Sequence, residues 1–228
     1  MLKTLRLLAV LFTAWLSLEA YGAAAIVTNL SGTLYVQKPD GTTKILSQKS
    51  EVDVGDVLST EKDSYARIKF TDGGEVIISP KSRLKVDDYR FEENSPDKDN
   101  FVFSLIKGGL RTITGLVGKR GNRDAYRLNT PVATIGIRGT HFRLLMCQND
   151  CEKLINGLHI NVISGTINAR NQGGDKDFTS GQYGYVKDEN TAPELVPDDP
   201  GFPPFESTFD GIGGESGEDT SGPGCYVK

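Results

Sequence analysis

The chain has 228 residues, with 26 lysines and arginines against 30 acids, a formal net charge of −4 and 8% aromatic residues. That length suits one domain with a sizeable core, and a net-acidic chain is a poor candidate for nucleic acid. The charge is uneven: residues 23–186 hold 22 basic and 19 acidic side chains, a net of +3, whereas residues 187–228 hold ten acids and two lysines, a net of −8.

Lys3 and Arg6 charge the start, a largely apolar run follows from Leu7 to Leu18, and small residues stand at Ala20, Gly22, Ala23, Ala24 and Ala25. This is the pattern of a secretory signal peptide, read here as residues 1–24 with cleavage after Gly22 or Ala24. A spanning helix needs roughly 20 apolar residues, so no transmembrane segment is expected after cleavage. The expected location is the periplasm or the medium. The sole tryptophan, Trp15, falls in this segment.

Residues 25–186 read as short strands. Period-2 alternation with β-branched and aromatic residues marks Gly32–Val36, Tyr65–Phe70, Glu75–Ile78, Arg83–Val86, Phe101–Leu105 and Leu110–Ile113. It recurs at His141–Leu145 and Leu158–Ile163, and Asp40-Gly41, Asp72-Gly73, Gly108-Gly109 and Gly173-Gly174 punctuate the runs as turns. No window shows a 3.6-residue stripe. The expected class is all-β: a single roll or sandwich, or a β-helix-like stack. Ser31-Gly32-Thr33-Leu34 is echoed by Ser164-Gly165-Thr166-Ile167; two copies do not make a solenoid, but they suit opposing edges of one roll. Residues 187–228, with six prolines and seven glycines, are expected to be a disordered acidic tail, either a solvated spacer or a binding tail.

Five ordered motifs carry a family resemblance. They are Val54-Gly55-Asp56-Val57-Leu58-Ser59-Thr60, Ser64 to Asp72-Gly73-Gly74, Leu105-Ile106-Lys107-Gly108-Gly109-Leu110-Arg111, Thr130-Pro131, and Arg138-Gly139-Thr140-His141-Phe142. Over roughly residues 30–186 the chain resembles the FecR domain family. The resemblance implies an extracytoplasmic all-β module. The family's namesake joins that domain to a cytoplasmic anti-sigma segment, which is not read here, so sigma-factor signalling is not carried over and a binding module is what remains.

The motif residues favour structural roles. Asp72-Gly73 reads as a hairpin turn with positive φ at Gly73. Pro131, after Thr130, suits a strand start, and Gly136 a close backbone approach. Arg138, before Gly139 and Thr140, is expected half-buried, capping carbonyls or pairing with an acid.

His141 and His159 stand without Cys, Asp or Glu at metal-ligand spacing, so no metal or cofactor is expected. No nucleophile elbow or catalytic set declares itself, and Gly115–Arg120 lacks phosphate-loop spacing. Cys147 and Cys151 sit in a polar break between strands, and an oxidising compartment favours a local disulfide there; Cys225 is left over. Between Lys107 and Arg143 there are eight basic residues and one acid. Lys119, Arg120, Arg123 and Arg127 form the candidate anion- or partner-binding patch, against the plain reading of a solvated basic face. The function expected is a non-catalytic extracytoplasmic binding or sensing module for an envelope glycan or protein partner. The alternatives are a structural or assembly component of an envelope complex and, least favoured, a hydrolase with a hidden site.

Overall fold

The computed structural model describes residues 22–202, apart from Gly121, Arg123 and Glu152. The expected signal segment up to residue 21 and the chain from residue 203, including Cys225, lie outside the described residues. Fifteen strands follow in order: β1 Ala25–Ser31, β2 Leu34–Gln37, β3 Thr43–Leu46, β4 Glu51–Val52, β5 Val57–Thr60, β6 Tyr65–Phe70, β7 Glu75–Ile78 and β8 Arg83–Arg90. Then come β9 Asn100–Ile113, β10 Tyr126–Asn129, β11 Thr134–Cys147, β12 Gly157–Asn171, β13 Gly174–Thr179, β14 Tyr183–Val186 and β15 Glu194–Val196. One 3-10 turn, Pro96–Lys98, precedes β9. Among the described residues, no helix is long and apolar enough to cross a membrane.

Three long strands, β9, β11 and β12, belong to two layers at once, and a positive-φ glycine divides each: Gly108 (φ 75°), Gly139 (57°) and Gly165 (88°). The first layer runs β4-β1-β6-β7, then the later half of β9, the later half of β11, the earlier half of β12, β14 and β15. The second runs β3-β2-β5-β8, then the earlier half of β9, β10, the earlier half of β11, the later half of β12 and β13. The layers remain an open sheet rather than a barrel. Only β9–β10 is parallel among these pairings; the rest are antiparallel, so the chain is a bent two-layer roll and not a β-helical stack.

The corner between layers follows a local rule. Where a strand changes layer its ladder is interrupted, and a hydroxyl accepts the amide that the ladder releases. Thr33 N–H donates to Ser64 Oγ at 2.9 Å, Gly109 N–H to Ser82 Oγ at 2.7 Å, Thr140 N–H to Thr114 Oγ1 at 2.9 Å and Gly165 N–H to Ser180 Oγ at 2.9 Å. A buried amide left without a partner is costly, which accounts for Ser and Thr at these points. Glycine completes each corner: a Cβ on Gly32 would overlap Ser64, one on Gly108 Ser82, and one on Gly165 Thr140. The Ser-Gly-Thr echo thus has a structural meaning, since Gly32 and Gly165 both stand where the chain passes from the first layer into the second.

One apolar cluster fills the space between the layers, and inward positions alternate along each strand. Phe70 of the first layer meets Phe101 of the second with ring centroids 4.4 Å apart. Phe101 also meets Tyr126 at 4.8 Å and Tyr89 at 5.0 Å. At the other end Gly184 of β14 has no side chain because Phe178 of β13 presses against it.

Both ends of the described fold lie close to expected boundaries. Ala24, which belongs to the body if cleavage follows Gly22, is buried, and its carbonyl accepts the Thr71 amide at 3.2 Å. Described structure continues past the expected tail boundary after Val186. β15 pairs with β14 in the register Gly184↔Leu195, Asp188 Oδ1 accepts the Asn190 and Thr191 amides, and Phe202 is buried against Tyr183 and Arg143. Composition predicted too early an end because this stretch is held by an edge ladder and aspartate turns, which require little apolar burial.

Candidate ligand-binding groove

Alternation along β10 to β13 turns Leu128, Ile135, Ile137, Ile167, Ala169 and Phe178 into the core. The intervening residues therefore face solvent on the outer side of the second layer. Register sets them in rows: Asn129–Thr134–Arg170–Asp175, Arg127–Gly136–Asn168–Asp177, and Arg138–Thr166–Thr179. They form an open groove of about 690 Å³. Its floor is low at Gly136, where a Cβ would meet nothing nearer than 3.9 Å. The expected close backbone approach at Gly136 is therefore corrected: what its missing side chain opens is the groove.

Arg127, Arg138 and Arg170 are exposed around this floor, and none of them forms an ion pair among the described residues. Two acids, Asp124 and Asp177, line the groove as well, without forming an ion pair with these arginines. Asn168 Nδ2 donates to Asp177 Oδ1 at 2.7 Å and lies 3.4 Å from Asp175 Oδ2. Among the described residues no aromatic ring lines the groove, so recognition there falls to guanidinium forks, amides and hydroxyls. Such forks suit carboxylate, sulfate or phosphate groups.

The basic patch read from sequence is divided by the fold. Arg127 lies in the groove. Lys119 is exposed at the corner beside Arg138, its Cγ 3.6 Å from where a Cβ on Gly139 would stand. Arg123 lies outside the described residues. Arg120 is held inward: Nε meets the buried Asp99 carboxylate at 3.0 Å, Nη1 donates to Glu93 O at 2.8 Å, Nη2 to Glu92 O at 2.9 Å, and its guanidinium covers the Phe91 ring. This arginine locks two loops together and is corrected from binding candidate to structural clasp. Arg138 is corrected in the opposite direction, since it is exposed and, among the described residues, its side chain caps no carbonyl and pairs with no acid. Arg170 and Asn168 went unnoticed in sequence, although the alternation Asn168-Ala169-Arg170 could have placed both outward.

The remaining motif residues build the corners. Gly73 takes φ 83° in the β6–β7 turn. Asp72 does more than turn the chain: it is buried, Oδ1 accepts the Gly74 amide at 3.0 Å, and Oδ2 accepts the Val117 amide at 3.1 Å. Thr130 Oγ1 donates to Ala133 O at 2.8 Å, closing a turn in which Pro131 lies before the strand and not at its start. Gly139 and Thr140 form the bulge of β11, where Thr114 Oγ1 donates to Thr140 O at 2.6 Å.

Cys147 and Cys151 form a disulfide with Cα atoms 5.5 Å apart. His141 Nε2 accepts from Arg111 Nε at 2.6 Å. His159 is buried with Nε2 2.9 Å from Ile155 O, and that burial holds its imidazole below the usual value of 6.5. Burial likewise pushes the Tyr126 phenol up. Among the described residues no group of three or more His, Cys, Asp or Glu side chains gathers as a metal site.

Residues 56–168 match the family model described as FecR protein, and over that part the chain is FecR-like. Two crystal structures of a candidate anti-sigma factor from Parabacteroides distasonis are similar, at 14% and 13% identity with TM-scores of 0.46 and 0.47; each match covers 61% of this chain and 58% of that one. The chain thus spans less than two thirds of the length of those structures. A cell surface anchoring domain is similar at 27% identity and TM-score 0.30, over 32% of this chain and 99% of that one. Comparison with curated proteins finds no match. Over the described residues the domain is all-β.

Proposed function

We propose that this FecR-like chain acts outside the cytoplasm and binds an anionic envelope glycan, or an acidic protein surface, through the groove of Arg127, Arg138 and Arg170. One observation carries the reading: three exposed guanidiniums converge across three paired strands, and none is neutralised by an acid among the described residues. With three guanidiniums against the two carboxylates of Asp124 and Asp177, the groove keeps a net positive charge that an arriving anion offsets. The Cys147–Cys151 disulfide supports an oxidising location.

The test is binding of acidic oligosaccharides by the full chain at rising salt. Exposed charge pairs are screened by salt, so affinity is expected to fall steeply between low and physiological ionic strength. Arg127→Glu with Arg170→Glu is expected to abolish binding, and Gly136→Leu to weaken it by filling the floor without clashing with backbone. Unchanged affinity in all of these variants would assign the groove to plain solvation.

A further inference from the structure

On the outer side of the first layer, away from the groove, register sets Arg67, Ile77, Arg111 and Arg143 in one row across β6, β7, β9 and β11. Arg111 and Arg143 are direct cross-strand partners, and like charges so placed are destabilising. No carboxylate forms an ion pair with either among the described residues.

Each has a partner that is not an acid. Arg111 Nε donates to His141 Nε2 at 2.6 Å, while Arg143 Nε donates to Asn161 Oδ1 at 3.0 Å and its guanidinium lies over the Phe202 ring, 5.1 Å from the centroid. On the same turn as Phe202, Asp199 Oδ2 accepts from Tyr183 Oη at 3.4 Å. Partial burial opposes ionisation of Asp199, but the Phe202 and Gly201 amides and the Arg143 charge hold its carboxyl below the usual range. An acid and an aromatic ring, three residues apart on one turn, are thus the chemistry this face already accepts.

The row adjoins a pocket of about 640 Å³. Tyr65, Pro80, Leu145, Leu154 and Phe202 supply its apolar lining, and Leu145 follows Arg143 by two residues on the same face of β11. Lys62, Lys81 and Lys153 stand on its rim with Asp63 and Asp150, and Asp150 lies 3.8 Å from Lys107. The apolar floor beside a basic row is complementary to a side chain pair of opposite kind, a ring for the pocket and a carboxylate for Arg111.

We propose that this face docks a peptide segment of a partner protein that carries an aromatic side chain close to a carboxylate. The ring enters the pocket between Leu145 and Leu154, and the carboxylate pairs with Arg111. This site is distinct from the arginine groove, so either assignment can fail alone.

The test uses the full chain and a fluorescein-labelled octapeptide holding two Phe-Asp pairs, read by anisotropy. Saturable binding is expected. Arg111→Glu is expected to weaken it about tenfold or more, the scale of a lost charge-assisted hydrogen bond, and Arg127→Glu to leave it unchanged. Leu154→Ala, on an outer loop, is expected to weaken it severalfold, as is replacing both peptide phenylalanines by alanine. Absence of saturable binding, or indifference to Arg111→Glu and Leu154→Ala in folded variants, would overturn the proposal. So would displacement of the peptide by an acidic oligosaccharide of equal charge, which would make the face a glycan site. A photo-crosslinker at position 154 that captures residues 203–228 of the same chain, or a second copy, would overturn it in favour of that occupant.

Discussion

Ser82 Oγ accepts the Gly109 amide at 2.7 Å, while Gly108 beside it has no room for a side chain because Ser82 occupies that space. The pair makes β9 change layers without losing a buried hydrogen bond. Ser82→Ala is expected to cost about 1–2 kcal/mol, the penalty of an unsatisfied buried amide. Gly165→Ala, at φ 88° against Thr140, should cost more, about 2–4 kcal/mol, through strain and overlap together. Urea midpoints of the two variants against Gly136→Ala, expected within about 0.5 kcal/mol of the parent, check both values.

Charge removal at neighbouring arginines should divide sharply. Arg120→Ala strands the buried Asp99 carboxylate and two carbonyls, and is expected to destabilise by about 3 kcal/mol. Arg127→Ala leaves nothing unpaired and should stay within about 0.5 kcal/mol. Equal stabilities by chemical denaturation would mean that the Arg120 clasp is not formed in solution.

Replacing Cys147 and Cys151 together by serine should cost about 2 kcal/mol, the loop-entropy scale for so short a ring. Mass spectrometry of the untreated protein after alkylation should find both sulfurs blocked from modification. Modification of both would remove the disulfide from the account.

Stability should fall as pH drops below about 6.5, and His159 should contribute to that fall. Its folded imidazole is held low by burial, so below 6.5 the unfolded chain binds the proton first and gains from it. The loss ends once pH passes the folded value. His159→Gln is expected to flatten the dependence of the urea midpoint between pH 7 and 5; an unchanged slope would mean that other groups carry it.

Much of the architecture was readable because it is local. Alternation at Tyr65–Phe70 and Leu158–Ile163, the Asp72-Gly73 turn and the close pair Cys147 and Cys151 depend on a few neighbouring residues. What escaped depends on register between distant strands. Arg170 reaches Arg127 only because β11 pairs with both β10 and β12, and no periodicity within one strand encodes that. Arg120 and Arg138 exchanged roles for the same reason, since Asp99 pairs with the first and, among the described residues, no acid pairs with the second. The order at Glu194–Val196 was not legible because it comes from backbone pairing, to which composition is blind.

β11 and β12 each run unbroken from one layer into the other, turning at Gly139 and Gly165. Load applied to Arg138 at the groove therefore passes along peptide bonds to Arg143 on the far face, with no sliding interface in between to absorb it. A displacement at either surface is therefore felt at the other through the same two continuous strands.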